Sequence, residues 1–208
     1  MATGALSESR PRRLETLVLA AGSGSRFGGR KLLAPWRDGL VLDATLAAAF
    51  QAPGRFVRVV TGADGEAVAD AALAHADRTG QTARLRIVHA ADHADGLAAS
   101  LKAGIECLPD DTEGVFLFLG DMPLVPPDLA GQLLAVLGPE QQAAAPLFEG
   151  QRGHPVLMMA SLFPALAGLT GDRGAGGLLS SLGHTLARVE TEDPGVLKDI
   201  DRPQDLEG

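Results

Sequence analysis

Three cations and four glycines crowd into residues 19–31, Leu-Ala-Ala-Gly-Ser-Gly-Ser-Arg-Phe-Gly-Gly-Arg-Lys. Glycines let backbone N–H groups approach phosphate oxygens closely. Arg26, Arg30 and Lys31 set positive charge beside those amides. Such a loop suits a polyphosphate. Its spacing departs from the two commonest phosphate loops. Gly24 and Gly29 have the gap of a Walker A loop, but Arg30 and Lys31 follow where Lys and Ser/Thr belong. Gly22 and Gly24 open a dinucleotide fingerprint, but Phe27 stands at the third glycine. The second strand then ends Val60-Thr61-Gly62, without the acid that fingerprint requires. An NAD(P)-dependent oxidoreductase therefore remains only as a rival reading.

A carboxylate follows the apolar run Val115–Leu119 in Gly120-Asp121-Met122-Pro123. Open α/β sheets hold ligands at the C-terminal ends of their strands. A hard carboxylate there suits Mg²⁺ carrying substrate phosphates, though an aspartate in a turn can also serve the turn alone. Lys198-Asp199-Ile200-Asp201-Arg202-Pro203-Gln204-Asp205 adds further acids, and Asp201 before Pro203 also reads as a helix N-cap. Zinc is not expected, because His75, His89, His93 and His184 have no ligand spacing to one another or to Cys107. Cys107 ends an apolar helix and reads as core.

Taken together, these segments resemble the MobA/MocA-type nucleotidyltransferases. The resemblance rests on Leu-Ala-Ala-Gly-x-x-x-Arg-Phe-Gly with Lys31 and Pro35-Trp36, on Gly120-Asp121-Met122-Pro123, on Asp95–Gly104, on Gly153-His154-Pro155, and on Asp199–Leu206. It implies a nucleotide site made by Leu19, Ala20, Ala21, Gly22, Ser23, Gly24, Ser25, Arg26, Lys31 and Ser100. Arg26, Lys31 and Asp121 would be catalytic. Asp121 and Asp201 would bind Mg²⁺, with Asp201 favoured over Asp199. His154 and Arg173 would face the acceptor. Gly171–Leu179 departs from the family pattern, since Gly176 stands where the family has arginine.

The Leu-Ala-Ala-Gly start and Gly-His-Pro resemble the cytidylyltransferase branch. That branch implies CMP transfer from CTP to molybdopterin with pyrophosphate release, and a molybdoenzyme or its chaperone as a partner. Alternatives are another NTP or phosphate acceptor, and a non-catalytic molybdenum cofactor-binding protein.

The elements that must position these residues alternate. Strands are expected at Leu14–Ala21, Arg55–Thr61, Leu85–His89 and Val115–Leu119, with helices at Asp43–Phe50, Asp64–Asp77, Leu97–Leu108 and from Pro126 to Leu137. Asp43 reads as an N-cap. This alternation predicts an α/β fold, a parallel sheet with helices on both faces. Ala143–Phe148 and Val156–Met159, joined through Glu149–Gly153, read as a hairpin-type insertion that makes the sheet mixed. The resemblance implies a three-layer, Rossmann-like nucleotidyltransferase fold. Residues 1–12 read as a solvated tail and 13–208 as one domain.

Composition bounds the rest. The chain has 208 residues, 46% hydrophobic and 21% charged, which is globular. One cysteine allows no internal disulfide and fits a reducing cytoplasm. The net charge of −8 argues against a nucleic-acid partner. It is uneven: residues 1–37 hold seven Lys/Arg against two acids, and the remainder eleven against twenty-four. Arg10, Arg12 and Arg13 belong to the tail region, whereas Arg26, Arg30 and Lys31 belong to the loop. Leu17–Ala21 falls far short of the about 20 apolar residues that span a bilayer, and the N-terminus lacks a signal-peptide core, so no membrane partner is expected.

Overall fold

The computed structural model describes residues 12–22, 24, 26–171 and 174–207. The expected tail lies almost wholly outside the described residues, as do Ser23, Ser25 and Arg173.

The strands and helices follow in chain order as β1 (Leu14–Ala20), β2 (Pro35–Trp36), β3 (Gly39–Leu40), α1 (Val41–Gln51), β4 (Val57–Thr61), α2 (Gly65–Arg78), β5 (Leu85–His89), α3 (Leu97–Glu106), β6 (Gly114–Leu119), α4 (Leu129–Ala135), β7 (Ala143–Phe148), β8 (Gln151–Arg152), β9 (Val156–Met159), α5 (Phe163–Ala167), α6 (Gly176–Ser181) and β10 (Leu186–Glu190). The main sheet has eight strands in the order β10-β7-β9-β6-β1-β4-β5, with β8 paired to β7. β1 lies parallel between β4 and β6. β9 is antiparallel to both β6 and β7, so the sheet is mixed as expected.

Side chains alternate across a strand, and β6 shows the result. Phe116 and Phe118 face a core built with Leu42 and Leu46 of α1, Val68 and Ala72 of α2 and Leu133 of α4. Val115 and Leu117 face the opposite core, with Leu101 of α3, Leu166 of α5 and Leu179 of α6. Helices therefore cover both faces, giving three layers. A central strand apolar on both faces is what burial on both sides demands.

Several expectations need correction. Asp43 is the third residue of α1, not its N-cap, and its carboxylate accepts the Leu40 N–H at 3.0 Å. Pro126 and Pro127 precede α4 instead of opening it. Cys107 follows α3 and is exposed, so it is not core. Glu15 in β1 is fully buried, where its carboxylate meets Arg58 and, at 2.7 Å, Arg55. Among the described residues, no helix is long and apolar enough to cross a membrane.

Candidate active site at the C-terminal edge of the sheet

The loop after β1 and the loop after β6 leave the same edge of the sheet, because these strands are parallel and adjacent. Between them lies a cleft of about 560 Å³. Leu19, Ala20, Ala21, Gly22 and Gly24 line one side, Lys31 and Asp121 the lip, and Ser100 of α3 the back. Gly24 needs a left-handed φ of 58°, and a Cβ there would sit 3.3 Å from the Lys31 side chain. Glycine thus lets the loop fold back onto Lys31. Ser100 is buried in the cleft wall.

Two devices hold Asp121. The Thr45 hydroxyl donates to the Gly120 carbonyl at 3.1 Å. The Ile200 N–H donates to the Asp121 carbonyl at 2.9 Å. Ile200 is buried in a small apolar cluster with Ala34, Trp36 and Val41. That anchor brings both of its neighbours to the site. Ligand oxygens of Asp121, Asp199 and Asp201 lie within 4.8 Å of one another. Asp199, the residue set second at the sequence level, therefore joins the group. The expected cap role of Asp201 falls instead to Asp205, whose carboxylate accepts the N–H groups of Asp201 and Arg202 at 2.9 and 2.7 Å. The Asp201 carboxylate instead meets Lys31 and Arg26.

Lys31 Nζ sits 2.5 Å from Asp121 and 3.1 Å from Asp201. Arg26 reaches Asp201 at 3.2 Å from a largely solvated position. Arg30 does not line the cleft: its nearest carboxylate, 3.9 Å away, is Asp64. Burial alone would lower the Lys31 pKa, but the charges and hydrogen bonds of Asp121 and Asp201 outweigh it and hold it above the usual lysine value. The hydrogen bond from Lys31 holds Asp201 below the usual carboxylate range. Asp199 goes the other way, raised by burial and by the charges of Asp121 and Asp201.

His154 precedes β9 and comes to the same edge because β9 runs in reverse. Its N–H donates to Val196 at 2.9 Å. Its Nδ1 is buried and meets no hydrogen-bond partner among the described residues. Burial lowers its pKa, and the Arg152 charge adds to this, against the opposing Leu117 backbone and Asp121 charge. The ring is therefore neutral near pH 7.

Sequence reasoning missed His93 and Ala94 at the cleft rim, whereas Gly96 falls within the Asp95–Gly104 segment. The only signal was their place just before α3, beside the Ser100 segment.

Three clustered carboxylates offer hard oxygen donors, the set that Mg²⁺ and Mn²⁺ prefer. The donors thus fit a divalent cation. Glycine loop, paired cation and acid cluster together can hold a nucleoside triphosphate and neutralise charge at its phosphates.

Known proteins are similar to this chain in sequence and in fold. The molybdenum cofactor cytidylyltransferase of Escherichia coli K12 is 31% identical over 93% of each chain. The crystal structure of Rv0371c from Mycobacterium tuberculosis H37Rv matches with a TM-score of 0.80 at 30% identity, over 96% of this chain and 100% of that one. A structure of Rv0371c in complex with manganese matches at 0.69 and 28% identity, over 88% and 89% of the two chains. Residues 16–187 match the family described as the MobA-like NTP transferase domain, and the chain belongs to that family of nucleotidyltransferases.

Proposed function

We propose that this protein transfers CMP from CTP to molybdopterin, with Mg²⁺, and releases pyrophosphate. The observation that carries nucleotidyl transfer is the convergence of Lys31, Asp121, Asp199 and Asp201 at the lip of the glycine-lined cleft. The choice of CTP and molybdopterin is supported by the 31% identity to the molybdenum cofactor cytidylyltransferase.

An oxygen of the acceptor phosphate attacks the α-phosphorus, forming a new P–O bond. The bond from that phosphorus to the α,β-bridging oxygen breaks, and pyrophosphate leaves with the electron pair. The backbone of Ala21, Gly22 and Gly24 holds the phosphate tail. Lys31 and Arg26 stabilise the charge that gathers on the equatorial oxygens and the leaving group. Asp121 and Asp201, with Asp199 beside them, would hold the divalent cation, which supplies further charge neutralisation at the phosphates. An ionised phosphate nucleophile needs no general base, which agrees with a neutral, half-buried His154 serving to position the acceptor. The reading implies a cytoplasmic enzyme that hands its product to a molybdoenzyme or its chaperone.

The test is pyrophosphate release from CTP, GTP, ATP and UTP with purified molybdopterin cofactor. Release with CTP above the others, abolished in Asp121→Ala, is expected. Undiminished turnover in Asp121→Ala would remove the metal assignment. Nucleotide binding with no release from any NTP would favour a non-catalytic binder. Tighter binding of NADPH than of CTP with Mg²⁺ would favour an oxidoreductase.

A further inference from the structure

A second cationic pocket lies between β7, β8, β10 and α6. Its volume is about 250 Å³, and Arg152 and Arg188 line it with Ser180 above an apolar floor of Leu147, Leu179 and Leu186. Register places the two arginines together: Arg152 pairs with Leu147, and Arg188 pairs with Ala145 on the same strand, β7. Among the described residues, neither guanidinium is paired with a carboxylate. Arg152 donates to the Ser180 hydroxyl at 3.2 Å and to the Gly176 carbonyl at 3.0 Å, both neutral acceptors. In a chain with eight surplus negative charges, two arginines that share a pocket without an acid form a local anion trap.

Gly176 stands against the Arg152 guanidinium. A Cβ at that position would lie in ordinary contact, 3.6 Å from Arg152 Nη2. The pocket connects to the candidate site through the chain around β8 and through α6. Arg152 is two residues from His154, and the charges of both Arg152 and Asp121 act on the His154 ring. The turn leading into α6 packs on the nucleotide cleft, since a Cβ at Gly174 would come within 2.8 Å of Leu97.

We propose that Arg152 and Arg188 form an oxyanion subsite that holds a charged group of the acceptor remote from its reacting phosphate. The placement on the acceptor side rests on the nucleotidyl-transfer reading above. Paired guanidiniums suit this role because each presents a planar fork of donors to phosphate or carboxylate oxygens.

Arginine Nε–Hε signals are followed by NMR while inorganic phosphate or acetate is titrated in separate arms, and acceptor kinetics are measured on the same proteins. Saturable shifts at Arg152 and Arg188 are expected, lost from Arg152 in Arg188→Gln. A stronger response to phosphate assigns a phosphate group, and a stronger response to acetate assigns a carboxylate. Arg188→Gln should raise the acceptor KM about tenfold, near 1.4 kcal/mol, and more than the KM for CTP. Arg86→Gln on the far edge strand should change neither. Absence of a saturable shift with both anions, or an unchanged acceptor KM in Arg152→Gln and Arg188→Gln, overturns the subsite. Saturable shifts without pyrophosphate release support the anion site and overturn the transfer reading.

Discussion

Lys31→Ala separates two roles that one side chain combines. Lys31 Nζ lies between Asp121 and Asp201, with its side chain 12% exposed. Removing it leaves three carboxylates whose oxygens lie within 4.8 Å of one another. At an effective dielectric near 20, two like charges at that separation repel by about 3.5 kcal/mol. Asp121 and Asp201 are 20% and 39% exposed, so solvent screens part of this. A relief of about 2 kcal/mol on cation binding is a fair magnitude, equivalent to roughly thirtyfold in affinity. Mn²⁺ titrated by calorimetry or EPR without nucleotide should therefore bind Lys31→Ala about thirtyfold more tightly than the native protein. The same variant should lose about 10²- to 10³-fold in turnover, the scale of one lost transition-state contact. The two effects have opposite signs, which a damaged fold would not produce. Weaker or unchanged Mn²⁺ binding would refute the view that Lys31 and the cation compete for these carboxylates.

Other outcomes follow from the packing. Glu15→Gln should destabilise by about 3–5 kcal/mol in urea unfolding, because buried Arg58 loses the carboxylate it faces; adding Arg58→Met should recover most of that loss. Ile200→Ala should cost about 2–5 kcal/mol and weaken Mn²⁺ binding, whereas Ile200→Val should cost about 0.5–1.5 kcal/mol and leave the cation site intact. Burial holds the His75 pKa below its usual 6.5, against the opposing pull of Asp43. Between that lowered value and 6.5 the unfolded chain binds more protons, so acidification through 6.5 removes stability. Thermal melts should show a smaller loss over this interval in His75→Gln than in the native protein.

The sheet's centre was legible because burial on both faces leaves a plain signature. Val115–Leu119 reads as a buried strand, and the glycine loop after Leu14–Ala20 reads as a phosphate site. The edge was less legible. β10 is only Leu186–Glu190, and its Arg188 and Glu190 resemble any solvated segment. Glu15 looks like a surface residue until β4 brings Arg58 against it, a contact 43 residues away. Among the acids, spacing alone could not rank Asp199 against Asp201. What brings both to Asp121 is one buried isoleucine between them, and its burial depends on Trp36 and Val41 far back in the chain. Asp205 took the capping role because its carboxylate reaches back to two N–H groups at once.

The reversed course of β9 separates the dimensions of the two sides of the site. Parallel strands bring their ends to the ligand edge, but β9 brings its beginning, so His154 and Arg152 arrive from the Glu149–Gly153 link. One residue added there advances His154 by about 3.4 Å or, if the slip enters the strand, turns its face over. β1, its glycine loop and Asp121 keep their lengths throughout. The cleft therefore has two independent rulers, one for the phosphate side and one for the side that His154 and Arg152 occupy, and the second can be reset without disturbing the first.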